Sequence, residues 1–580
     1  MAQIYYAPAA SSRDQTSIWL VDAVVVLALA GLVYALALAA ARLTAPIAAT
    51  VPIDLRASAL PAYAGLSVAR MAAAYVLSLA FSLAYGRLAA AHRRAERVLL
   101  PLLDILQSIP ILAFMPGVVL ALVALFPSTN LGVELAAVIL IFTSQAWNLA
   151  FGVYQSRITI PRDFNEVATL YRLNGWRRFT RLELPAGVIS LVWNSMMSWA
   201  GGWFFLIAAE QFTLGDKDFR LPGLGSYLKT AADAGDVGAL LLGLAALLAV
   251  ILLLDQLVWR PLVAWAEKFK LEQTEAAAPP TSWLLTALRR SALVSWLGER
   301  AWPALGDALD RLLARWAPGP GAPAPAGPPL LRPGRLLGLA ALVALGLAAL
   351  WGGWSVVRLL RELTLADWAD LPAAAGATFL RTLAALGIGL VWTVPAGVAI
   401  GMQPRWARRA QPLVQVAASV PATALFPVLL LVLIGLPGGL NLAAVALMLL
   451  GTQWYILFNV IAGAQAIPTD LREAGVVYKL RGWRRWRYLI LPSLFPYLVT
   501  GMITATGGAW NASIVAEFVT FGGEQYQAFG LGSLIAEAAN DAAYARLAAG
   551  TLVMALLVVC LNRLVWRRLY RLAERRYRLD

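Results

Sequence analysis

Apolar runs long enough to cross a bilayer recur along the whole chain, and they leave room for little else. Bounded by charges, Pro or Gly, they predict helices over about 18–41, 66–90, 100–126, 133–154, 188–210 and 238–258. A second series falls at about 336–357, 376–401, 412–434, 440–462, 494–516 and 546–566. Each crossing needs roughly 20 apolar residues. Twelve fit comfortably in 580 residues that are 60% hydrophobic and 14% charged; soluble chains are about 25% charged. The 18–41 run exceeds the apolar core of a secretory signal and many spans follow it, so it reads as a retained helix. The fold class is therefore all-α and polytopic.

The two series are one unit written twice. Arg70, Pro101, Ser108, Pro110 and Pro116 recur 311 positions later as Arg381, Pro412, Ser419, Pro421 and Pro427. After a four-residue slip, Pro161, Glu166, Gly175, Trp176, Pro185, Trp203 and Glu210 recur at an offset of 307 as Pro468, Glu473, Gly482, Trp483, Pro492, Trp510 and Glu517. Gly223-Leu224-Gly225-Ser226 likewise maps onto Gly530-Leu531-Gly532-Ser533. Such colinearity marks a tandem duplication, and six spans per unit place both copies the same way up, as parallel repeats.

Charge orients the repeats. The formal net charge of +15 sits in short loops. One loop holds Arg87, Arg93, Arg94 and Arg97 against Glu96, and its counterpart holds Arg405, Arg408 and Arg409. The opposite loops carry Glu134 alone, or Glu524, Glu537 and Asp541 without a base. Arg-rich loops face the cytoplasm, so both termini are expected there. This distribution accounts for the basic balance without nucleic acid. A single cysteine, Cys560, excludes an intrachain disulfide, and a single histidine, His92, sits in a basic loop. No metal centre is expected. Between the units, Trp283, Leu284, Leu288 and Trp296 beside Arg289 and Arg290 suggest a segment lying at the membrane surface. Pro318–Pro333 reads as an extended tether. The expected division is 1–265, a linker over 266–334, and 335–580.

The most informative feature is a polar loop between the fourth and fifth helices of each unit, at 163–185 and 470–492. Asp163 and Asp470 suit the start of a short helix, and Gly175 and Gly482 sit where that helix is expected to end. Each loop predicts a basic, aromatic helix–turn–helix on the cytoplasmic face. Two readings are open on physics alone: interfacial anchoring by Trp and Arg, or docking of one soluble partner per unit.

Glu166-Val167-Ala168, Gly175 and Leu184-Pro185, with Glu473-Ala474-Gly475, Gly482 and Leu491-Pro492, resemble the EAA loop of ABC-importer permeases of the methionine/maltose-permease type. The resemblance covers nearly the whole chain, once per unit. It implies that each loop carries a coupling helix seated in a groove of a cytoplasmic ATPase subunit. Glu166, Ala168 and Gly175, with Glu473, Ala474 and Gly482, are then the coupling residues. Gly475 stands where Ala is usual. Glu210 with Gly223-Leu224-Gly225, and Glu517 with Gly530-Leu531-Gly532, look like the nitrate/sulfonate/taurine/bicarbonate branch, as do Ser67–Arg70 and Thr378–Arg381. The implied setting is the bacterial inner membrane, with two ATPase subunits and a periplasmic or lipid-anchored substrate-binding protein. No Gly-x-x-x-x-Gly-Lys-Ser/Thr occurs, so the chain is expected to bind no cofactor and to be no enzyme itself; ATP and Mg belong to the partners.

Polar residues in the spans should face water or a bundle interior. Candidates for a translocation path are Gln107, Ser108, Gln145, Asn148, Asn194 and Ser198, with Gln415, Ser419, Gln453, Asn459, Thr506 and Asn511; interhelical bonding is their other reading. Arg70 and Arg381 can snorkel, offset the desolvation of an anion, or pair with Glu210 and Glu517, which can also mark a gate. The expected substrate is a small oxyanion, with ferric iron or thiamine as the alternative. A twelve-helix secondary transporter is the rival mechanism, disfavoured by spans poor in ionisable groups. A membrane enzyme lacks the acids and bases its chemistry needs.

Overall fold

A computed structural model describes residues 51–214, 217–269, 282–301, 333–521 and 523–576, with isolated positions at 22–26 and 304–311. The expected first helix at 18–41 and nearly all of the Pro318–Pro333 tether lie outside the described residues. The surface segment between the units is described in pieces, as short helices at Trp283–Leu288 and Ala292–Trp296.

The first unit runs α1 (Leu60–Ala91), α2 (Arg93–Ser108), α3 (Ile111–Leu125), α4 (Leu131–Ile158), α5 (Arg162–Leu170), α6 (Leu184–Glu210), α7 (Leu224–Asp233) and α8 (Val237–Leu254). The second begins with α9 (Pro333–Leu360) and repeats the series as α10 (Leu365–Met402), α11 (Pro404–Ser419), α12 (Ala422–Leu433), α13 (Gly439–Gln465), α14 (Thr469–Val477), α15 (Leu491–Ala516), α16 (Leu531–Asn540) and α17 (Tyr544–Leu561). Among the described residues, seven single helices are long and apolar enough to cross a membrane, and one bent pair makes an eighth. The chain is an all-α membrane protein. Two short antiparallel hairpins, Thr213–Leu214 with Lys217–Asp218 and Phe518–Phe521 with Glu524–Gln527, follow α6 and α15. The apolar periodicity gave no sign of them.

The third spans correct the sequence reading. The expected helices at 100–126 and 412–434 are each two helices. Leu413–Ser419 and Ala422–Leu433 meet at 84°. Pro110 and Pro421 cause the break: proline offers no N–H and drives the residue before it out of the helical region. Ile109 (φ −77°, ψ 125°) and Val420 (φ −74°, ψ 118°) are extended accordingly. Pro101, Pro116 and Pro427 are accommodated inside their helices.

The units are interleaved. Ile111, Leu112 and Ala113 of α3 share one buried cluster with Trp510 and Ile514 of α15, Leu531 of α16 and Ala549 of α17. Reciprocally, Ala424 of α12 packs into the core of the first unit with Trp203 and Tyr227. Each broken span thus delivers its second half to the other unit.

Candidate functional site

At one end of the bundle, α5 and α14 project as the matched elbows. The helix ends differently from the sequence reading. Gly175 and Gly482 do not terminate it: they open the next helices, Gly175–Arg178 and Gly482–Arg485. The left-handed residue falls three positions earlier, at Arg172 (φ 48°) and Lys479 (φ 51°). There the Leu173 N–H donates to Ala168 and the Arg172 N–H to Thr169, with Leu480 to Gly475 and Lys479 to Val476 in the second unit. This crossed pair of bonds closes the helix, at the ~1–2 kcal/mol a side chain costs in that conformation. Only Gly482 is itself left-handed, at φ 52°.

This closure explains Ala168 and Gly475, which are buried against the turn while Glu166 and Glu473 face outward. A Cβ on Gly475 would meet Leu489 Cδ2 at 3.0 Å. By the 307 offset, Gly475 is the partner of Ala168, and half-buried Ala474 matches Val167. The elbow tips are apolar and exposed: Leu170 81% and Tyr171 74%, Val477 76% and Tyr478 78%.

At the opposite end of α6 and α15, the acids and arginines meet each other. The guanidinium of Arg70 donates to Glu134 at 2.6 and 2.7 Å, to Glu210 at 2.7 Å and to the Pro222 carbonyl at 2.9 Å. Arg381 donates to Glu517 at 2.7 Å, to Asn441 at 2.7 and 3.0 Å and to the Phe529 carbonyl at 2.9 Å. Glu210 also accepts from Ser67 at 2.7 Å and from the Gly225 N–H at 2.8 Å. Glu517 accepts from Thr378 at 2.8 Å and the Gly532 N–H at 2.8 Å. Each carboxylate therefore sits on the N-terminus of α7 or α16, where the helix dipole favours an anion. Of the readings left open, snorkelling does not describe Arg70, which is buried, and its donors are committed to protein oxygens.

The Gly-Leu-Gly sequence follows from this close approach. A Cβ on Gly223 would fall inside the Glu210 carboxylate, and one on Gly530 inside that of Glu517. Gly223→Ala is expected to destabilise the folded chain by about 1–3 kcal/mol through overpacking. A detergent thermal-unfolding assay checks this, and Gly65→Ala, where nothing lies within 4 Å of the added atom, is the control.

A cavity of about 400 Å³ lies between the units, bounded by α6 of the first and by α11–α13 and α15 of the second. Gln415, Ser419, Asn459 and Asn511 line it with Trp193, Phe204, Trp454 and Tyr455. The other path candidates lie elsewhere. Gln145 is buried against Ser78 and Met71; Gln453 accepts from Trp392 at 3.0 Å. Asn194 donates to Ser190 within its own helix, and Ser198 bonds the Gln145 carbonyl and Asn148. Apart from Asn194, these groups face the seams inside each unit, where a buried polar atom finds its partner on the neighbouring helix. Thr506 back-bonds to Met502. Gln107 is exposed but does not line this cavity, and the Ser108 side chain lies outside the described residues.

Two members of charged clusters escaped the sequence reading. Glu134 passed as a loop charge, although polar Asn441 at the same offset signalled a shared role. Glu183 forms ion pairs with Arg87 at 3.1 Å and Arg157 at 3.2 Å, with Arg178 at 3.7 Å. Its counterpart is Ile490, so the duplication could not flag it.

With this geometry in hand, similarity to known proteins is informative. The model of the binding-protein-dependent transport system inner membrane component matches twice, at residues 78–258 and 393–579. The bicarbonate transport system permease protein CmpB of Synechocystis sp. is 30% identical over 151 residues, 25% of this chain and 52% of that protein. The nitrate import permease protein NrtB of Leptolyngbya laminosa is 28% identical over 188 residues, 32% of this chain and 64% of that protein. The osmoprotectant import permease protein OsmW of Salmonella typhimurium is 30% identical over 188 residues, 32% of this chain and 82% of that protein. The matched region thus spans half to two thirds of the bicarbonate and nitrate relatives. The chain belongs to the binding-protein-dependent ABC-importer permease family, as a fused protein that carries the family's unit twice.

Proposed function

We propose that the chain is the translocation subunit of an ATP-driven importer of a small anion, of the nitrate, sulfonate/taurine or bicarbonate class. Units 1–265 and 335–580 swing between inward- and outward-facing arrangements about the central cavity, and 266–334 joins them. The carrying observation is the pair of matched elbows whose apolar tips stand exposed at one end of the bundle. A lone anchoring function does not require two superimposable turns closed by the same backbone bonds. In this reading α5 and α14 dock in two cytoplasmic ATPase subunits, which hold ATP and Mg. Glu166, Ala168, Gly175, Glu473, Ala474 and Gly482 shape the docks, both termini are cytoplasmic, and a binding protein delivers solute at the far face.

The anion reading is supported by the bicarbonate and nitrate relatives and by the cavity wall, whose described lining residues include no acid to repel an anion. Alternation requires that ATP and the loaded binding protein each favour a different arrangement. The test is Leu170→Glu combined with Val477→Glu, which places charge in both apolar docks. Transport-coupled ATP hydrolysis in proteoliposomes is expected to fall about tenfold or more, since a desolvated unpaired charge costs several kcal/mol. Unchanged coupled hydrolysis would overturn the docking assignment.

A further inference from the structure

We propose that Glu183 is a positioning residue for the first coupling helix, and that the two coupling helices rest on unlike foundations: ionic in the first unit, apolar in the second. This rests on the reading of α5 and α14 as coupling helices and deepens it.

Glu183 is 8% exposed and follows the short helix Gly175–Arg178. Its carboxylate gathers Arg87 from the end of α1, Arg157 from the end of α4, and Arg178 from the elbow itself. Arg178 also donates to Asn165 of α5 at 2.6 Å. Arg87 reaches the Gly175 carbonyl and lies 5.0 Å from the Phe179 ring centroid, and Arg157 donates to the Arg87 carbonyl. One carboxylate therefore ties two spans to the elbow. Three guanidiniums converge on one acid, so Glu183 offsets the repulsion among charges that the carbonyl and carboxamide bonds alone leave standing.

The second unit does the same job without it. The positions matching Arg87, Arg157 and Glu183 are Val398, Ala464 and Ile490, all buried in one apolar cluster with Val460 and Leu494. Arg485 keeps the place of Arg178. The coupling helix α14 is tied instead by Arg472, which donates to the Ala464 carbonyl at 2.8 Å. The arginine side chains in the first unit are partly open to water, at 35%, 22% and 37% for Arg87, Arg157 and Arg178. Salt therefore screens their attraction, whereas an apolar foundation is indifferent to screening. The consequence is an importer in which work enters the first unit through a salt-sensitive joint and the second through a salt-insensitive one.

The decisive variant transplants the second foundation into the first, as Arg87→Val, Arg157→Ala and Glu183→Ile together. Replacing an ion cluster by apolar residues is often neutral or stabilising, whereas removing one partner is costly. Transport-coupled ATP hydrolysis of the full importer is read from about 50 to about 500 mM NaCl, a range over which the Debye length shrinks severalfold. Wild type is expected to lose coupling as salt rises, and the transplant to remain active with a flatter response. Glu183→Gln alone is expected to lower coupling by about tenfold or more, as a small displacement of a working element does. If the transplant fails to fold, Glu183→Gln against Ile490→Val decides: equal losses overturn the proposal. So does a wild-type response independent of salt, or a transplant as salt-sensitive as wild type. The elbow-tip variant Leu170→Glu separates the premises. If it abolishes hydrolysis while the salt response is unaltered by the transplant, only the foundation idea fails; if hydrolysis survives it, the coupling reading itself fails.

Discussion

Arg70→Met is expected to prevent accumulation of the folded protein, whereas Arg381→Met should leave a weakened but recoverable one. The two arginines occupy the same place in the duplicated unit, yet they answer different charges. Arg70 lies between two carboxylates, Glu134 and Glu210, at 2.6 and 2.7 Å. Its side chain is 4% exposed and that of Glu210 is fully buried. Removing it strands both acids side by side; breaking one buried pair from one side costs about 3–5 kcal/mol, and total stability is only about 5–15 kcal/mol. Arg381 faces one acid, Glu517, while Asn441 takes the place of Glu134. Its side chain is 13% exposed, and the stranded Glu517 keeps its bonds from Thr378 and Gly532. Fluorescence-detected size exclusion after graded heating measures the difference. Glu134→Gln is the companion variant: it turns the first cluster into a likeness of the second, leaves Arg70–Glu210 paired, and is expected to be tolerated. Equal damage from Arg70→Met and Arg381→Met would show that Glu134 contributes nothing to the cluster.

This contrast shows where the sequence was legible and where it was not. The twofold pattern and the positions of most of the described long helices were readable because burial in lipid demands apolar composition over a fixed length. Arg70, Glu210 and the Gly-Leu-Gly motif stood out because charges and paired glycines are rare in such spans. Their partnership was one of several open readings and could not be chosen from sequence, since it joins residues 140 positions apart. Pro110 and Pro421 were noticed as repeats but not as breaks, because proline is also tolerated within these helices, as Pro116 and Pro427 are. The elbow glycines misled in a similar way. A glycine after a short helix suggests its end, but Arg172 and Lys479 adopt the left-handed conformation instead. Glu183 was hidden for the opposite reason. A reading guided by repetition weights what both units share, and this residue has Ile490 as its counterpart in the second unit.

The break at Pro110 carries the other large effect. A helix that begins abruptly leaves its first N–H groups without partners. In α3 they are met by the other unit: the Asn511 side-chain oxygen on α15 accepts from the Ile111 N–H at 2.6 Å and the Leu112 N–H at 3.3 Å. The matching residue in the first unit is Phe204, which cannot accept a bond, and there the start of α12 borders the cavity at Pro421 and Ala422. Asn511 thus serves both as a bolt between the units and as part of the cavity wall. Two substitutions separate these roles. Asn511→Leu keeps the volume but strands two buried donors, at about 1–3 kcal/mol, and is expected to lower both thermal stability and uptake. Asn511→Asp keeps the acceptor and adds a charge that the start of α3 welcomes, so stability should hold. The same charge stands in the cavity wall, where at about 8 Å and an effective dielectric near 20 it opposes a passing anion by ~2 kcal/mol. Uptake of an anion should then fall by roughly tenfold or more, in a protein that unfolds at the wild-type temperature. Uptake that survived Asn511→Asp intact would remove this cavity from the anion's route, while leaving its place between the two units unchanged.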